Sequence, residues 1–210
     1  PIPSRGLGDV YKRQLQQFQQ VPHKPVALSC LDYSHWQATQ VSNIQQQLEF
    51  WQQTLSDRPD YQLIPQDFES KQARADVVDV ALPQDTVNVL RALAAEQKVT
   101  LFTVLLAVFK LAVFVQTEQK ELLVGTDITN RDQVPGLEKV VGMFMNQLVV
   151  RSSINPQDSV HTFIQQLHQQ ILASFENKGV PYEMVCKHIG FQKSDSQPSL
   201  FQTKFYLENA

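Results

Sequence analysis

Val141-Gly142-Met143-Phe144-Met145-Asn146-Gln147-Leu148-Val149-Val150-Arg151 is an apolar, β-prone run holding one uncharged amide, with a glycine upstream and an arginine at its end. Such a run buries apolar surface on a pleated face, and a buried amide is costly unless it is hydrogen-bonded. Residues 144–152 therefore read as a core strand. Asn146 has two readings on spacing alone: it satisfies a neighbouring backbone group inside the core, or it lines a site.

Outward from this strand the pattern alternates between helix and strand. Residues 121–128 read as a second strand. Leu101 to Val115 is the longest apolar segment, interrupted only by Thr103 and Lys110. At about fifteen residues it falls short of the roughly twenty that span a bilayer. Its apolar residues cover nearly the whole circumference, which predicts a helix buried in a protein core, with Thr100 as its N-cap. Val87, Leu90, Leu93 and Ala94 place an amphipathic helix over 85–98, and Ile44, Leu48, Trp51 and Leu55 place another over 43–55. Pro22 to Leu31 reads as extended chain, and Pro59 and Pro65 as breaks. Val78, Val80 and Leu82 alternate, which predicts a strand over 75–82. Downstream, Val160, Phe163, Ile164, Leu167, Ile171 and Phe175 recur at three and four, giving a long helix over 158–177. Lys178-Gly179 stops it, Pro181 opens a short helix to about His188, and 201–207 reads as a last strand. This order predicts an α/β fold (an α+β sandwich), a mixed β-sheet covered by long helices.

A length of 210 residues allows one or two domains with a real core. A net charge of -3, with Lys and Arg scattered, gives no basis for binding nucleic acid or an anionic membrane surface. Cys30 and Cys186 lie far apart without CxxC spacing and read as reduced thiols of a cytoplasmic protein. Glutamine clusters at 14–20, 45–53 and 165–170, and the last two clusters read as solvated helix faces. Residues 1–14 combine Pro, Gly and charge without periodicity and lack a signal-peptide apolar region, so they read as a non-native or unstructured leader.

Few residues invite chemistry by themselves. His161 and His168 share a helix face but stand about 10 Å apart along the axis. Two ligands of one metal need closer spacing, so no metal site is expected. No Gly-rich phosphate loop and no GxSxG elbow occur in the sequence. Asp32 and His35 form an Asp–His spacing without a nucleophile nearby.

Several motifs together resemble the condensation domains of nonribosomal peptide synthetases. Val141 to Arg151 is similar to their (V/I)GxFVNT(L/Q)xxR signature, and Leu31 to Gln37, which contains Asp32 and Trp36, to YxDYAxWQ. Leu101 to Val115 followed by Leu123-Val124-Gly125-Thr126-Asp127-Ile128-Thr129-Asn130-Arg131 resembles the buried helix and the VGTPxANR strand-loop. Glu176 to Glu183 keeps the Pro-aromatic-Glu of (H/N)QDxPFE, at Pro181, Tyr182 and Glu183, and lacks HQD. Ser194 to Gln202 is an eroded RDxSRNPLFQ. Each motif is modest evidence, but five in family order cover nearly everything from about residue 25 to Ala210.

The family's catalytic HHxxxDG occurs nowhere in these 210 residues. In the family it precedes YxDYAxWQ, so residues 15–210 resemble the C-terminal lobe of a two-lobed, chloramphenicol acetyltransferase-like domain, truncated on its N-terminal side. The resemblance implies a parent enzyme in which a carrier-bound aminoacyl amine attacks a carrier-bound thioester. No cofactor is bound directly, since the substrates ride on 4'-phosphopantetheine arms. The implied partners are the N-terminal lobe, donor and acceptor carrier domains and an adjacent adenylation domain. By the same resemblance Asn146 lines the reaction tunnel near Gly142. Arg131 pairs with the aspartate of the missing motif, a solvated loop arginine being the alternative. Asp32, Trp36, Pro181 and Glu183 are structural. The Asn at 146 favours peptide-bond formation over epimerisation or heterocyclisation. A fragment without the catalytic loop is inactive alone, poorly soluble and self-associating. The alternative is a non-catalytic remnant, or a carrier-docking module that keeps the fold for packing.

Overall fold

The computed structural model describes residues 28–59, 75–194, 197 and 199–208. The leader 1–14, Pro22 and Pro65 lie outside them. Among the described residues the order is α1 (Cys30–Thr39), α2 (Val41–Leu55), α3 (Gln84–Gln97), α4 (Leu101–Thr117), β1 (Glu121–Thr129), a 3-10 turn (Leu137–Lys139), β2 (Met145–Ser153), α5 (Val160–Glu176), α6 (Tyr182–His188) and β3 (Thr203–Lys204). The sheet runs β2-β1-β3. β1 and β2 pair antiparallel from Glu121 opposite Ser153 to Thr129 opposite Met145, and β3 runs parallel to β1. This is the mixed sheet between long helices that the pattern implied.

Alternation along the strands separates two cores. Leu123 and Val149 face Leu48, Trp51 and Leu55 of α2 and Tyr182, Val185 and Cys186 of α6. Leu122, Val124 and Val150 face Leu106 and Ala107 of α4 and Phe163, Ile164, Leu167 and Ile171 of α5. Helix caps follow the sequence: Thr100 Oγ1 accepts from Thr103 N–H at 3.2 Å, and Ser159 Oγ from Thr162 N–H at 3.1 Å. Arg151, opposite Leu123 on β2, fixes the end of α2 to the sheet. Its guanidinium donates to Thr54 O at 2.9 Å and forms ion pairs with Asp57 at 2.6 Å and Glu121 at 3.0 Å.

Gly125 lies at a crowded point of β1, because a Cβ there would overlap the ring of Phe201. The Phe201 ring is itself packed against the core around α2 and α6, so making room for a Cβ means shifting that ring. Gly125→Ala is expected to lower the unfolding free energy by about 1–3 kcal/mol in urea titrations. Gly125→Ala combined with Phe201→Leu should recover part of that loss.

Five expectations need correction. Residues 75–82 form no strand: they are irregular and exposed, Val78 by 84%, and have no strand partner among the described residues. Alternation predicts a strand only where an edge is available to pair with it. Leu31 is not extended chain but lies in α1. The last strand shrinks from 201–207 to Thr203–Lys204. α4 is not buried all round: Val108 and Val115 are exposed, whereas Lys110 is completely buried. Gln47, read as part of a solvated face, is also buried.

Candidate functional site

The connection from β1 to β2 spans Asn130 to Phe144, and Arg131 organises it. Its Nη1 donates to Leu137 O at 2.7 Å and Val140 O at 2.6 Å, and its Nη2 to Gly142 O at 3.1 Å. The guanidinium also lies 4.5 Å from the centre of the Phe144 ring. At the base of the loop Asn130 N–H donates to Phe144 O at 2.7 Å. Gly142 is needed for close approach, since a Cβ would sit 3.0 Å from both Cys30 Sγ and the Phe144 ring. α1 packs under this loop: the Tyr33 ring meets Phe144 edge-on at 5.1 Å and stacks with Trp36 at 5.7 Å. Together with Leu137 and Val140 they form a third, smaller core.

α1 itself is set by a capping box. Ser29 N–H donates to Asp32 Oδ2 at 2.8 Å, and Asp32 N–H to Ser29 Oγ at 3.2 Å. The Ser29 hydrogen bonds hold the Asp32 carboxyl below its ordinary range. Asp32 is thus engaged as a cap.

Asn146 is 8% exposed, and its amide is fully used. Nδ2 donates to Lys178 O at 2.8 Å and Val180 O at 2.7 Å, while Oδ1 accepts from Gln147 N–H at 2.9 Å and Tyr182 N–H at 3.1 Å. The residue therefore pins the 178–182 turn to β2. Other side chains hold the same turn. Gln37 Nε2 donates to Gly179 O at 3.1 Å, Val180 N–H to Gln47 Oε1 at 3.2 Å, and Trp51 Nε1 to Asn177 O at 2.9 Å. Lys178 forms an ion pair with Asp132 at 2.6 Å, tying the turn to the β1–β2 loop and holding the Asp132 carboxyl low. Pro181 stands at the N-cap of α6, and Glu183 is in its first turn.

Between loop and turn opens a cleft of about 180 Å³, lined by Tyr33, Gln37, Asn130, Phe144, Asn146, Pro181 and Glu183, with Met143 and Met145 on its rim. The tip of the loop is apolar and open, with Val141 92% exposed. Asn146, Pro181 and Glu183 thus line one cleft, while Arg131 and Gly142 lie in the β1–β2 loop and do not line it. Trp36 lines the neighbouring cleft of about 250 Å³ with Gln37, Gln47 and Lys178. Sequence reasoning missed Tyr33, Gln37, Gln47 and Gln133, whose hydrogen bonds reach across a hundred positions or more. No cluster of metal-ligating side chains is present among the described residues. His168 lies 3.4 Å from Thr103 Oγ1 between α4 and α5. Burial pushes the Cys186 thiol up, away from the thiolate a nucleophile needs. No single described helix is long and apolar enough to cross a membrane.

If Arg131 sets the loop, Arg131→Ala should raise hydrogen exchange of the Gly136, Lys139 and Val140 amides at least tenfold while leaving β1–β2 amides protected. Lysine at this position has three donors on a single nitrogen and cannot reach three dispersed carbonyls, so Arg131→Lys should not restore protection.

The mixed sheet between helices, with a cleft at its β1–β2 connection, is a fold shared with solved condensation domains. The chain belongs to the condensation domain family, whose model matches residues 2–210. It is 27% identical to tyrocidine synthase 3 of Brevibacillus parabrevis over 192 residues, 89% of this chain and 3% of that protein. It is 30% identical to cyclosporin synthetase simA of Tolypocladium inflatum over 216 residues, 96% of this chain and 1% of that protein. The chain thus spans a small fraction of the curated relatives it matches. Among solved structures it resembles the X-domain from teicoplanin biosynthesis, with TM-score 0.80, 18% identity, and coverage of 90% of this chain and 44% of that one. It also resembles the first condensation domain of the calcium-dependent antibiotic synthetase, with TM-score 0.68, 17% identity, and coverage of 91% and 41%.

Proposed function

We propose that this chain supplies the C-terminal half of a condensation domain that joins a carrier-bound aminoacyl amine to a carrier-bound acyl or peptidyl thioester. The observation that carries the reading is the convergence of the family's motifs on one open cleft, in a chain matched by the family model almost end to end. Amide formation by this route needs a nucleophilic amine held against the thioester carbonyl, a place for the developing oxyanion, and exclusion of water. The described residues offer a preorganised wall for that purpose. The base belongs to the HHxxxDG half of such a domain.

In this reading the exposed tip at Val141 and Met143 packs against that other half. The Arg131 guanidinium, already bound to three carbonyls, keeps two N–H groups for the aspartate of HHxxxDG. Asn146 works through the 178–182 turn that forms the cleft wall. The substrates arrive on 4'-phosphopantetheine arms of donor and acceptor carrier domains, beside an adenylation domain, in the cytoplasm.

The test is a condensation assay with loaded carriers on a polypeptide in which an HHxxxDG half precedes this chain in frame. Mass spectrometry should find the amide product on the acceptor carrier, and changing the second His of HHxxxDG to Ala should abolish it. Absence of product with a folded, carrier-binding polypeptide would leave the non-catalytic docking module as the better reading.

A further inference from the structure

The walls of the cleft beside Asn146 come from two segments with separate anchors. Asn130 and Phe144 belong to the β1–β2 loop, which Arg131 ties to carbonyls of the loop itself. Pro181 and Glu183 follow the turn that Asn146, Gln37, Gln47 and Trp51 tie to β2, α1 and α2. One side chain joins the two. Lys178 Nζ donates to Asp132 Oδ2 at 2.6 Å, Asp132 Oδ1 at 2.7 Å and Thr129 O at 3.3 Å, and its own carbonyl accepts from Asn146 Nδ2 at 2.8 Å. Among the described residues no other side chain hydrogen-bonds the turn to the loop. The segments also meet closely, since a Cβ at Gly179 would lie 3.1 Å from Gln133 Nε2 on the loop. The Asp132 side chain is 65% exposed, and Thr129 is exposed as well. An ion pair this open to water adds little to stability. What it fixes is the position of the turn against the loop. Lys178 stands in the stretch where this chain lacks the family's HQD, so the motif itself does not supply the contact.

We propose that Lys178 is a positioning residue, whose ion pair with Asp132 clamps the 178–182 turn to the β1–β2 loop and sets the width of the cleft between them. Lys178 does not line that cleft and acts through the residues of its two walls. With the clamp open the walls separate more easily, and part of a ligand's binding free energy goes into drawing them together. Binding then weakens, while the bound geometry, once reached, is unchanged. The effect on catalysis rests on the amide-forming reading, whereas the contact between turn and loop does not.

Lys178→Met keeps the apolar stem and the carbonyl bound by Asn146 and removes the cation. Water can take its place on Asp132 and Thr129 O, so the variant should fold normally. In the full 210-residue chain, hydrogen exchange of the Val180 and Tyr182 amides should quicken about fivefold, with the β1–β2 amides unchanged. Wild type in about 1 M salt, where the Debye length is about 3 Å, should move toward the variant. Asp132→Asn should reproduce the effect, and the double variant should be no worse than either single one. Lys178→Arg keeps the charge and should restore slow exchange. In the longer polypeptide with an HHxxxDG half, Lys178→Met should raise KM for at least one loaded carrier about fivefold and leave kcat within about twofold, a split that a merely structural contact would not produce. Unchanged exchange in Lys178→Met, or additive effects of the two substitutions, would overturn the clamp. The condensation assay separates the two levels. Quickened exchange without amide product from the wild-type longer polypeptide overturns the proposed reaction alone, and amide product at unchanged KM in Lys178→Met overturns the positioning role alone.

Discussion

Asn146→Ala is expected to lower the unfolding free energy by about 3 kcal/mol, and the melting temperature by about 6–12 °C, because four hydrogen bonds disappear and their partners stay behind. Lys178 O and Val180 O would face an apolar Cβ inside a closed turn, and Tyr182 N–H, at the start of α6, would lose its acceptor. Asn146→Asp tests the direction of the donors. It keeps an acceptor for Tyr182 N–H but turns an oxygen toward two carbonyls. At pH 8 it should be at least as unstable as the alanine variant. A carboxyl in this setting is favoured in its protonated form, so its folded-state pKa is raised. The stability it retains is therefore present at low pH and is lost as pH rises through that pKa. Urea titrations at pH 5 and pH 8 check this. If Asn146→Ala melts like wild type while amide formation is lost in the longer polypeptide, the amide acts on substrate and the structural assignment is wrong.

That outcome bears on which parts of the molecule are legible in its sequence. The β1 and β2 strands and the α5 helix were readable because their apolar periodicity is read out by burial on the same chain. Residues 75–82 have the same alternation and no partner among the described residues, so a local pattern met no edge. α1 was missed because Tyr33 is its one buried residue, which leaves no apolar stripe to detect. Its only local signal is the cap pair Ser29 and Asp32. The site follows the same division. Asn146 stood out as an amide in an apolar run, and a satisfied core amide was one of its two readings. What no spacing reveals is the identity of its partners, 32–36 positions downstream. Nor does spacing reveal that Arg131 would turn back onto carbonyls up to 11 positions along its own loop. Gln47 was hidden by its company, a buried amide in a row of exposed ones.

Lys110 is the other residue whose position contradicts its chemistry, and its variant should change how stability depends on pH. Its ammonium is enclosed between α4 and the sheet, donating to Val150 O at 2.8 Å, Ser152 Oγ at 2.9 Å and Leu122 O at 3.2 Å. Three oxygens match three N–H donors, yet removal from water dominates and pushes the group down to about 7, with the Glu121 carboxylate opposing. An unfolded lysine titrates near 10.5. The unfolded chain therefore binds a proton between about pH 7 and 10.5 that the folded chain does not, so folding stability rises with pH across that window. The slope is about 1.4 kcal/mol per pH unit for one proton. Below pH 7 both states hold the proton and the full cost of burying the charge remains. Lys110→Met keeps the length and apolar stem and deletes the titration. Wild type should gain about 2 kcal/mol between pH 7 and 9, and the methionine variant should lack that gain. The stability difference between variant and wild type should then shift toward wild type by about 2 kcal/mol over those two pH units, whatever its sign at pH 7. Parallel pH profiles for the two proteins would mean that the three oxygens hold Lys110 charged throughout, and that hydrogen bonding outweighs burial at this position.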